Sequence, residues 1–348
     1  MSTFSFSCPV SLTESVVTLG QGSGGKLSQQ LIESIFMPHF QSDPLDERHD
    51  GAKISLPSSK IAFSTDSFVI NPLFFPGGDI GKLAICGVVN DLAMCGALPT
   101  YLSVAFIIEE GLPIETLGKI VSSMAATARE NHVQIVTGDT KVVEKGKGDG
   151  LYISVAGIGQ IVSKSDVGPK SINPGDVIIV NGDIGRHGIS VLAFREGMDF
   201  ETSIESDCAS LLEQVKCLLE NNIEVHCMRD LTRGGLAAAL GELSQQSGFN
   251  FEISEELIPI SEPVKSACEI MGFDPVNVAC EGRFVCFVPE KDSSKALEIM
   301  STFSSTGFNP AKIGKVDSQT QKLVKIANKI GTQRIMEIPY GELLPRIC

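Results

Sequence analysis

The sequence predicts an α+β chain: two mixed α/β domains followed by an extended tail. Three observations predict this. Strand-like and helix-like segments alternate through residues 51–161, as layered α/β or α+β domains require. A polar stretch rich in Gly, Pro and Ser, "VSKSDVGPKSINPG" at 162–175, then breaks the pattern as a linker would. A second mixed set runs on to residue 330. The expected divisions are an N-terminal segment with a Gly-rich loop and helix (1–50), an N-terminal domain (51–161), a C-terminal α/β domain (174–330) and a tail (331–348). With 348 residues, 43% of them hydrophobic, the chain has material for two cores.

Each element has its own signal. In "LGQGSGGKLSQQLIESIF" the glycines form a loop, and Leu27, Leu31 and Ile35 mark the apolar face of a helix. "HDGAKISLPSSKIAFSTDSFVI" reads as two strands joined at "PSS". "GGDIGKLAICGVVNDLAMCG" reads as a helix with Asp79 as N-cap. "YLSVAFII" is a strand, and "PIETLGKIVSSMAATAREN" a helix with Pro113 at its first position. "VQIVTGD" and "GLYISVAGIGQI" are strands. Beyond the linker, "DVIIVNG", "FNFEIS", "VNVAC", "RFVCFVP", "AKIGKV" and "KLVKIA" read as strands, and "SLLEQVKCLLENN", "LAAALGELSQQSG" and "SSKALEIMSTF" as helices. The closing "QRIMEIPYGELLPRIC", with two prolines and a glycine in ten residues, reads as extended and weakly structured.

Charge and cysteine usage narrow the function. The net charge is −14, from 28 basic and 42 acidic residues, and no stretch is rich in Lys or Arg. That excludes a nucleic-acid partner. A polyphosphate ligand would need a divalent metal to offset its charge. The ten cysteines lack the spacing of zinc sites or disulfide frameworks, and most lie in apolar surroundings, so they read as reduced core thiols. No apolar run spans a bilayer and the N-terminus lacks a secretion signal, so no membrane partner and a cytoplasmic location are expected.

Several motifs could carry chemistry. The glycines of "GQGSGGKL" would let backbone N–H groups approach a phosphate at a helix start, though a plain loop capped by Ser23 fits equally. Asp66 in "STDSF" and Asp139 in "TGDTK" each follow an apolar strand, where α/β sheets build ligand sites. Asp91 lies on or near the end of an apolar helix, where a carboxylate is costly unless paired or on a metal. The three could hold a metal on a nucleotide, or each could cap a turn. Lys141 could meet a phosphate or an oxyanion, or form a surface ion pair. Glu281 in "VACEGRFV" could be a general base with a raised pKa, or sit exposed in a hairpin turn. Asp230 and Thr232, between Arg229 and Arg233, read as a helix N-terminus, and His187 in "GDIGRHGIS" as structural. The last residue is a cysteine, Cys348. Exposed thiols oxidise, so either it is incidental or the tail delivers it somewhere.

Together "GQGSGGKL", "HDGA", "STDSFV", "PLFFPGGDIGKLAICGVVNDLAMCGA", "IIEEG", "TGDTKVVEKGKGDG", "RDLTRGGLA", "ACEGR" and "PRIC" resemble the HypE family of hydrogenase maturation proteins, the carbamoyl dehydratases. The resemblance runs from residue 17 to 348. The wider superfamily includes aminoimidazole ribonucleotide synthetase, selenophosphate synthetase and thiamine-monophosphate kinase. The resemblance implies ATP-dependent dehydration of an S-carboxamide on the chain's own Cys348 to an S-cyanate. A partner carbamoyltransferase would load that cysteine. The cyanide would pass to a scaffold complex of two further maturation proteins, for the iron of [NiFe]-hydrogenase. It implies a homodimer whose N-terminal domains pair their sheets, with ATP near the interface. It further implies catalytic roles for Cys348, Lys141 and Glu281, with Glu281 as base and Lys141 steadying charge beside the thiol tail. Nucleotide contacts would come from Gly22, Ser23, Gly24, Gly25, Lys26, Asp66, Asp91, Thr137, Gly138 and Asp139, with Mg2+ on Asp66, Asp91 and Asp139. Two positions depart from the family pattern. Gln21 stands where a histidine is expected, and "GRHG" with Arg186 stands where "GDHG" is expected.

Two rival functions remain on the sequence alone. One is another ATP-dependent synthetase or kinase of the superfamily. Selenophosphate chemistry would want a reactive cysteine in the Gly-rich loop, which "GSGGK" lacks, and Cys8 is too far upstream. The other is a non-enzymatic adaptor with a tethering tail, which would neither turn over ATP nor change the mass of the C-terminal peptide.

Overall fold

The computed structural model describes residues 14–22, 25–43, 52, 54–56, 60–198, 204–303 and 309–338. The helix Ile80–Met94, α2, stands at its centre and is buried on almost every side. A helix apolar all round is stable only when enclosed. Asp79 starts it as the sequence predicts: the carboxylate accepts the N–H groups of Gly81 at 2.7 Å and Lys82 at 3.1 Å. These are donors that a first turn leaves open. The other carboxylate oxygen accepts Ser123 Oγ at 2.6 Å, tying α2 to α3 (Ile114–Glu130).

On one side α2 and α3 cover a four-stranded sheet in the order β1 (Ile61–Phe68), β6 (Leu151–Ile161), β4 (Ala97–Glu109), β5 (Gln134–Val143). The first three strands are antiparallel; β4 and β5 are parallel and joined through α3. Buried and half-buried residues alternate along β6 and most of β4, so one face is packed and the other is open. The open face carries Phe63, Ile158 and Tyr101 in one row across β1, β6 and β4. Phe63 is 68% exposed there. The short strands β2 (Phe74–Phe75) and β3 (Gly78–Asp79) pair just before α2. A one-turn helix, Leu19–Gly22, leads to α1 (Gly25–Leu31) and a π turn at Ile32–Phe36.

The other side of α2 faces a seven-stranded sheet. Its order is β13 (Gln333–Ile335), β12 (Val324–Ala327), β9 (Asn250–Ser254), β11 (Ala311–Asp317), β7 (Val177–Val180), β10 (Phe284–Val288), β8 (Cys227–Asp230). The helices α4 (Arg186–Arg195), α5 (Leu212–Glu220), α6 (Gly235–Ser247), α7 (Glu262–Met271) and α8 (Glu290–Ser301) complete this half. α2 packs on α5 and β8, and one apolar cluster runs from the first sheet through α2 to Met228, Phe284 and Met300. The two sheets therefore share a core through one helix. Among the described residues eight cysteines are free and six of these are buried, in keeping with core thiols. No described helix is long and apolar enough to cross a membrane.

The structure corrects several expectations. Ile54, Ser55 and Leu56 form no strand, so only the second of the two strands around "PSS" is seen. Pro113 is the N-cap of α3, in extended backbone with ψ 133°, and not its first residue. "VNVAC" is no strand: the Asp274 side chain accepts the Val276 N–H at 3.2 Å and closes a 3-10 turn at Pro275–Asn277. Helix α4 and strand β8 lay in stretches without a clear period, and α7, which buries Val264, Ala267 and Cys268 along one face, was not anticipated. The start of the tail is held: β13 pairs with β12, Met336 is buried, and Ile338 packs on Gly241. Residues 339–348, and with them Cys348, lie outside the described residues.

Because Asp79 caps α2 and braces α3 at once, Asp79→Ala is expected to cost about 1–2 kcal/mol of unfolding free energy. Asp79→Asn keeps an accepting oxygen and should lose clearly less. Urea denaturation monitored by circular dichroism checks both.

Candidate active site

Where the two halves meet, four carboxylates line one pocket of about 200 Å³: Asp66 from β1, Asp91 from α2, Asp230 at the end of β8, and Glu281 from the loop before β10. Thr232 and Arg233 complete its rim on the α6 side. Local packing sets this geometry. A Cβ on Gly87 would stand 2.7 Å from the Phe68 ring, so glycine is what lets α2 lie against β1. That approach brings Asp91 to Ser64, whose hydroxyl donates to the carboxylate at 2.6 Å. Glu281 is buried, with its N–H donating to Asp207 Oδ1 at 3.1 Å. It is not the exposed turn residue the alternative reading would have made it.

The electrostatics follow from crowding. Burial pushes Asp91 above the ordinary carboxylate range, the Ser64 hydrogen bond opposes the rise, and the Asp66 charge adds to it. Burial and then the Asp91 charge push Asp230 up to about 7. Glu281 is pushed well above its ordinary value, by burial first and then by Asp230, Asp207 and Asp66. Like charges in a low-dielectric pocket cannot all remain ionised unless protons or a cation offset them. Sequence reasoning treated Asp230 as a cap. In the structure it ends a strand paired with β10, and Gly234, in left-handed backbone, takes the cap position of α6. The available signal was the same one that marked Asp66 and Asp139: an acid at the end of an apolar strand.

A second group lies on β5. Thr137, Asp139 and Lys141 stand in register with Ser103, Ala105 and Ile107, which places them on the open face of the first sheet. Lys141 Nζ reaches both Asp139 oxygens at 2.7 Å, and the Lys141 hydrogen bond holds the Asp139 carboxyl below its ordinary range. Strand β5 and strand β1 are opposite edges of the sheet, three spacings or roughly 14 Å apart. Within one chain, therefore, Asp139 does not join Asp66 and Asp91, and Lys141 does not meet Glu281. The expected metal trio is split, and among the described residues no three candidate ligands stand close enough to hold a metal by themselves.

The Gly-rich segment borders the β5 group. A Cβ on Gly22 would come within 2.5 Å of Val142 N, so this turn sits directly against β5. Gly25 and Lys26 open α1, while Ser23 and Gly24 lie outside the described residues. Between α1 and β5 lies a cavity of about 290 Å³, walled by Leu31, Phe36, Phe40 and Phe106 and reaching Thr137–Lys141. Gln21 borders it. Its Oε1 accepts the Thr18 N–H at 2.9 Å, which leaves its buried amide Nε2 without a partner among the described residues. Arg186 pairs with the buried Asp183 at 3.1 Å. His187 is buried, held near pKa 3 by that burial, and its Nδ1 lies 2.8 Å from Ser206 Oγ, in keeping with a structural role.

The raised Asp230 pKa has a stability consequence. Folding takes up a proton between 3.8 and about 7, so the group's contribution falls as pH rises through that window. Asp230→Asn is therefore expected to melt increasingly above the parent chain between about pH 5 and about pH 8, by a few kcal/mol at most. Scanning fluorimetry without nucleotide or metal reads it; an equal difference at both pH values contradicts it.

Comparison with known proteins gives a consistent assignment. Residues 48–161 match the model of the AIR synthase related protein, N-terminal domain, and residues 173–325 its C-terminal domain. Carbamoyl dehydratase HypE of Azotobacter vinelandii is 45% identical over 332 residues, 95% of this chain and 97% of that one. A crystal structure of hydrogenase maturation protein HypE in complex with ATP superposes with TM-score 0.89 at 39% identity, covering 95% of this chain and 99% of that one. A chain of a crystal structure of a HypE–HypF complex superposes with TM-score 0.78 at 46% identity, covering 89% of this chain and 99% of that one. With its two-sheet fold and its acidic pocket, the chain belongs to the HypE family of carbamoyl dehydratases.

Proposed function

We propose that this chain uses ATP to dehydrate an S-carboxamide carried on its own Cys348 to an S-cyanate, the cyanide source for the iron centre of [NiFe]-hydrogenase. The observation that carries the reading is the convergence of Asp66, Asp91, Asp230 and Glu281 on one pocket, in a chain 45% identical over 95% of its length to a carbamoyl dehydratase. The reaction balances as RS–C(O)NH2 + ATP → RS–C≡N + ADP + phosphate. An amide oxygen leaves poorly, so the γ-phosphoryl group is transferred to it first. Two N–H protons must then depart as the C≡N bond forms. Glu281, whose enclosure raises its proton affinity, would take one, and Lys141 would steady the developing negative charge.

Magnesium fits this pocket as a passenger of the nucleotide. A nucleotide-borne Mg2+ takes one or two carboxylates and completes its shell with phosphate oxygens and water. Asp66 and Asp91 would hold it, and it would neutralise the triphosphate. That fits a pocket with crowded acids and no three-ligand cage among the described residues. The apolar cavity beside Thr137, Gly138 and Asp139 has walls suited to a base, and the Gln21 amide supplies a donor.

The split between the β5 group and the acidic pocket is resolved by a homodimer. Two open faces packed about an axis parallel to the strands would lay each β5 over the partner's β1. The exposed row containing Phe63 is the apolar surface for that pairing. The tail then needs only modest reach. Beyond Ile338 ten residues remain to Cys348, at most roughly 35 Å of extended chain. Loading falls to a carbamoyltransferase, as the HypE–HypF complex of the relative suggests, and unloading to a maturation scaffold complex.

Incubation with carbamoyltransferase, carbamoyl phosphate and ATP, followed by mass spectrometry of the C-terminal peptide, tests the reading. A gain of about 43 Da should give way to a gain of about 25 Da on Cys348, with neither appearing in Cys348→Ser. Glu281→Gln should accumulate the first mass and pass to the second only at a small residual rate. A chain that makes cyanate normally with serine at 348 would overturn the proposal. For the dimer, Phe63→Asp is expected to shift the chain to monomer in analytical ultracentrifugation and to lower turnover at least about tenfold.

A further inference from the structure

The pocket carboxylate Glu281 is held from below by a strap, residues 206–211, that runs between the two halves of the molecule. Each side of the strap is hydrogen-bonded to a different half. Toward the first half, Ser206 N–H donates to Pro76 O at 2.9 Å, and a Cβ on Gly77 would stand 2.8 Å from Ser206 O. Toward the second half, Asp207 Oδ1 accepts the Glu281 N–H at 3.1 Å and Ala209 N–H donates to Glu281 O at 3.3 Å. A Cβ on Gly282 would lie 2.0 Å from Asp207 O, so strap and Glu281 loop touch backbone to backbone.

Asn90 closes this arrangement. It is 2% exposed, and its side chain is directed wholly at the strap. Asn90 Nδ2 donates to Ala209 O at 3.1 Å, and Asn90 Oδ1 accepts Leu211 N–H at 2.8 Å. A backbone N–H can only donate and a backbone carbonyl only accept, so this orientation of the amide is the sole one that satisfies both. The Ala209 residue is thus gripped on both sides, its carbonyl by Asn90 and its N–H by Glu281. Asn90 adjoins Asp91 on α2. One turn of helix therefore presents a pocket carboxylate directly and fixes the opposing one through three residues of strap.

We propose that Asn90 is a positioning residue for Glu281, acting through the Asp207–Leu211 strap. The inference rests on the reading of Glu281 as the proton acceptor. Asn90 touches neither substrate nor nucleotide in this account; it sets where the Glu281 backbone, and hence its carboxylate, stands against the pocket. A buried amide that meets two backbone partners at once has no equal substitute among residues of its size. Alanine leaves the Ala209 carbonyl and the Leu211 N–H unpartnered, and aspartate serves only the Leu211 N–H.

The test uses the full-length homodimer loaded at Cys348 by its carbamoyltransferase, with single-turnover dehydration and the KM for ATP as readouts. Asn90→Ala is expected to slow dehydration by about 10–100-fold, as misplacement by an ångström does, with the KM for ATP changed less than about twofold. In a Glu281→Gln background the same change should slow the residual rate by less than about twofold, because the residue it positions is already disabled. Asn90→Asp, nearly isosteric, should behave like the alanine variant and covers the case in which that variant does not fold. Asp207→Ala should reproduce the loss, and Asp207→Asn, which keeps an oxygen for the Glu281 N–H, should recover most of it. An Asn90 effect of equal size with and without Glu281, or normal turnover in both Asn90 variants, overturns the positioning role alone. Normal turnover in Glu281→Gln overturns the reading of Glu281 and this inference with it.

Discussion

The structure depends on enclosing one helix. α2 is buried at every residue but Lys82 and Asp91, and is stable only because a sheet packs against it from each direction. Its Asp79 cap fixes where it begins, and its two close-approach glycines fix how near it comes to its neighbours. A Cβ on Gly81 would stand 2.5 Å from Ile120 O, and Gly87 meets the Phe68 ring. Once that position is set, residues 90 and 91 near its C-terminal end have little freedom. They emerge where both halves of the molecule end, and there the acidic pocket forms.

The pocket stores electrostatic cost. Burial and mutual repulsion raise Asp91, Asp230 and Glu281 together, a state a folded chain tolerates only with protons bound or with a counter-charge supplied. In the proposed reading a cationic metal on a nucleotide would relieve the pocket, coupling ligand binding to the release of bound protons. Lys141 is directed elsewhere: exposed on the far edge of the sheet, beside Asp139. In the proposed reading two chains are needed to bring lysine and glutamate together, which gives the open sheet face a catalytic as well as a structural role.

Much of this was legible in the sequence, for identifiable reasons. Asp79 announced itself because a carboxylate before an apolar run has few other uses, and the period-2 strands of the first sheet were legible because one face is buried. The family resemblance also held. What the sequence could not show was contact at long range. "RDLTRGG" carries the same letters whether Asp230 caps a helix or ends a strand; its pairing with Phe284 decides. The residues around Glu281 left a general base and an exposed turn residue both open, because the strap that buries it lies some seventy positions earlier in the chain. Helix α4 was missed because it is buried on nearly every side and shows little amphipathic period; α7 was missed although Ser261 at its N-cap, Pro263 in its first turn and one buried face marked it. Asp139 was grouped with Asp66 and Asp91 by likeness of motif, which says nothing about which edge of a sheet each strand occupies.

The central claim is that the acidic half-site of one protomer works with the β5 half-site of its partner. Mixing two inactive homodimers, Glu281→Gln and Lys141→Ala, and measuring cyanate formation after subunit exchange addresses it directly. The account predicts that activity returns to about a quarter of the parent level, since one site in each mixed dimer is intact. If both groups act within one chain, the mixture stays as inactive as its components.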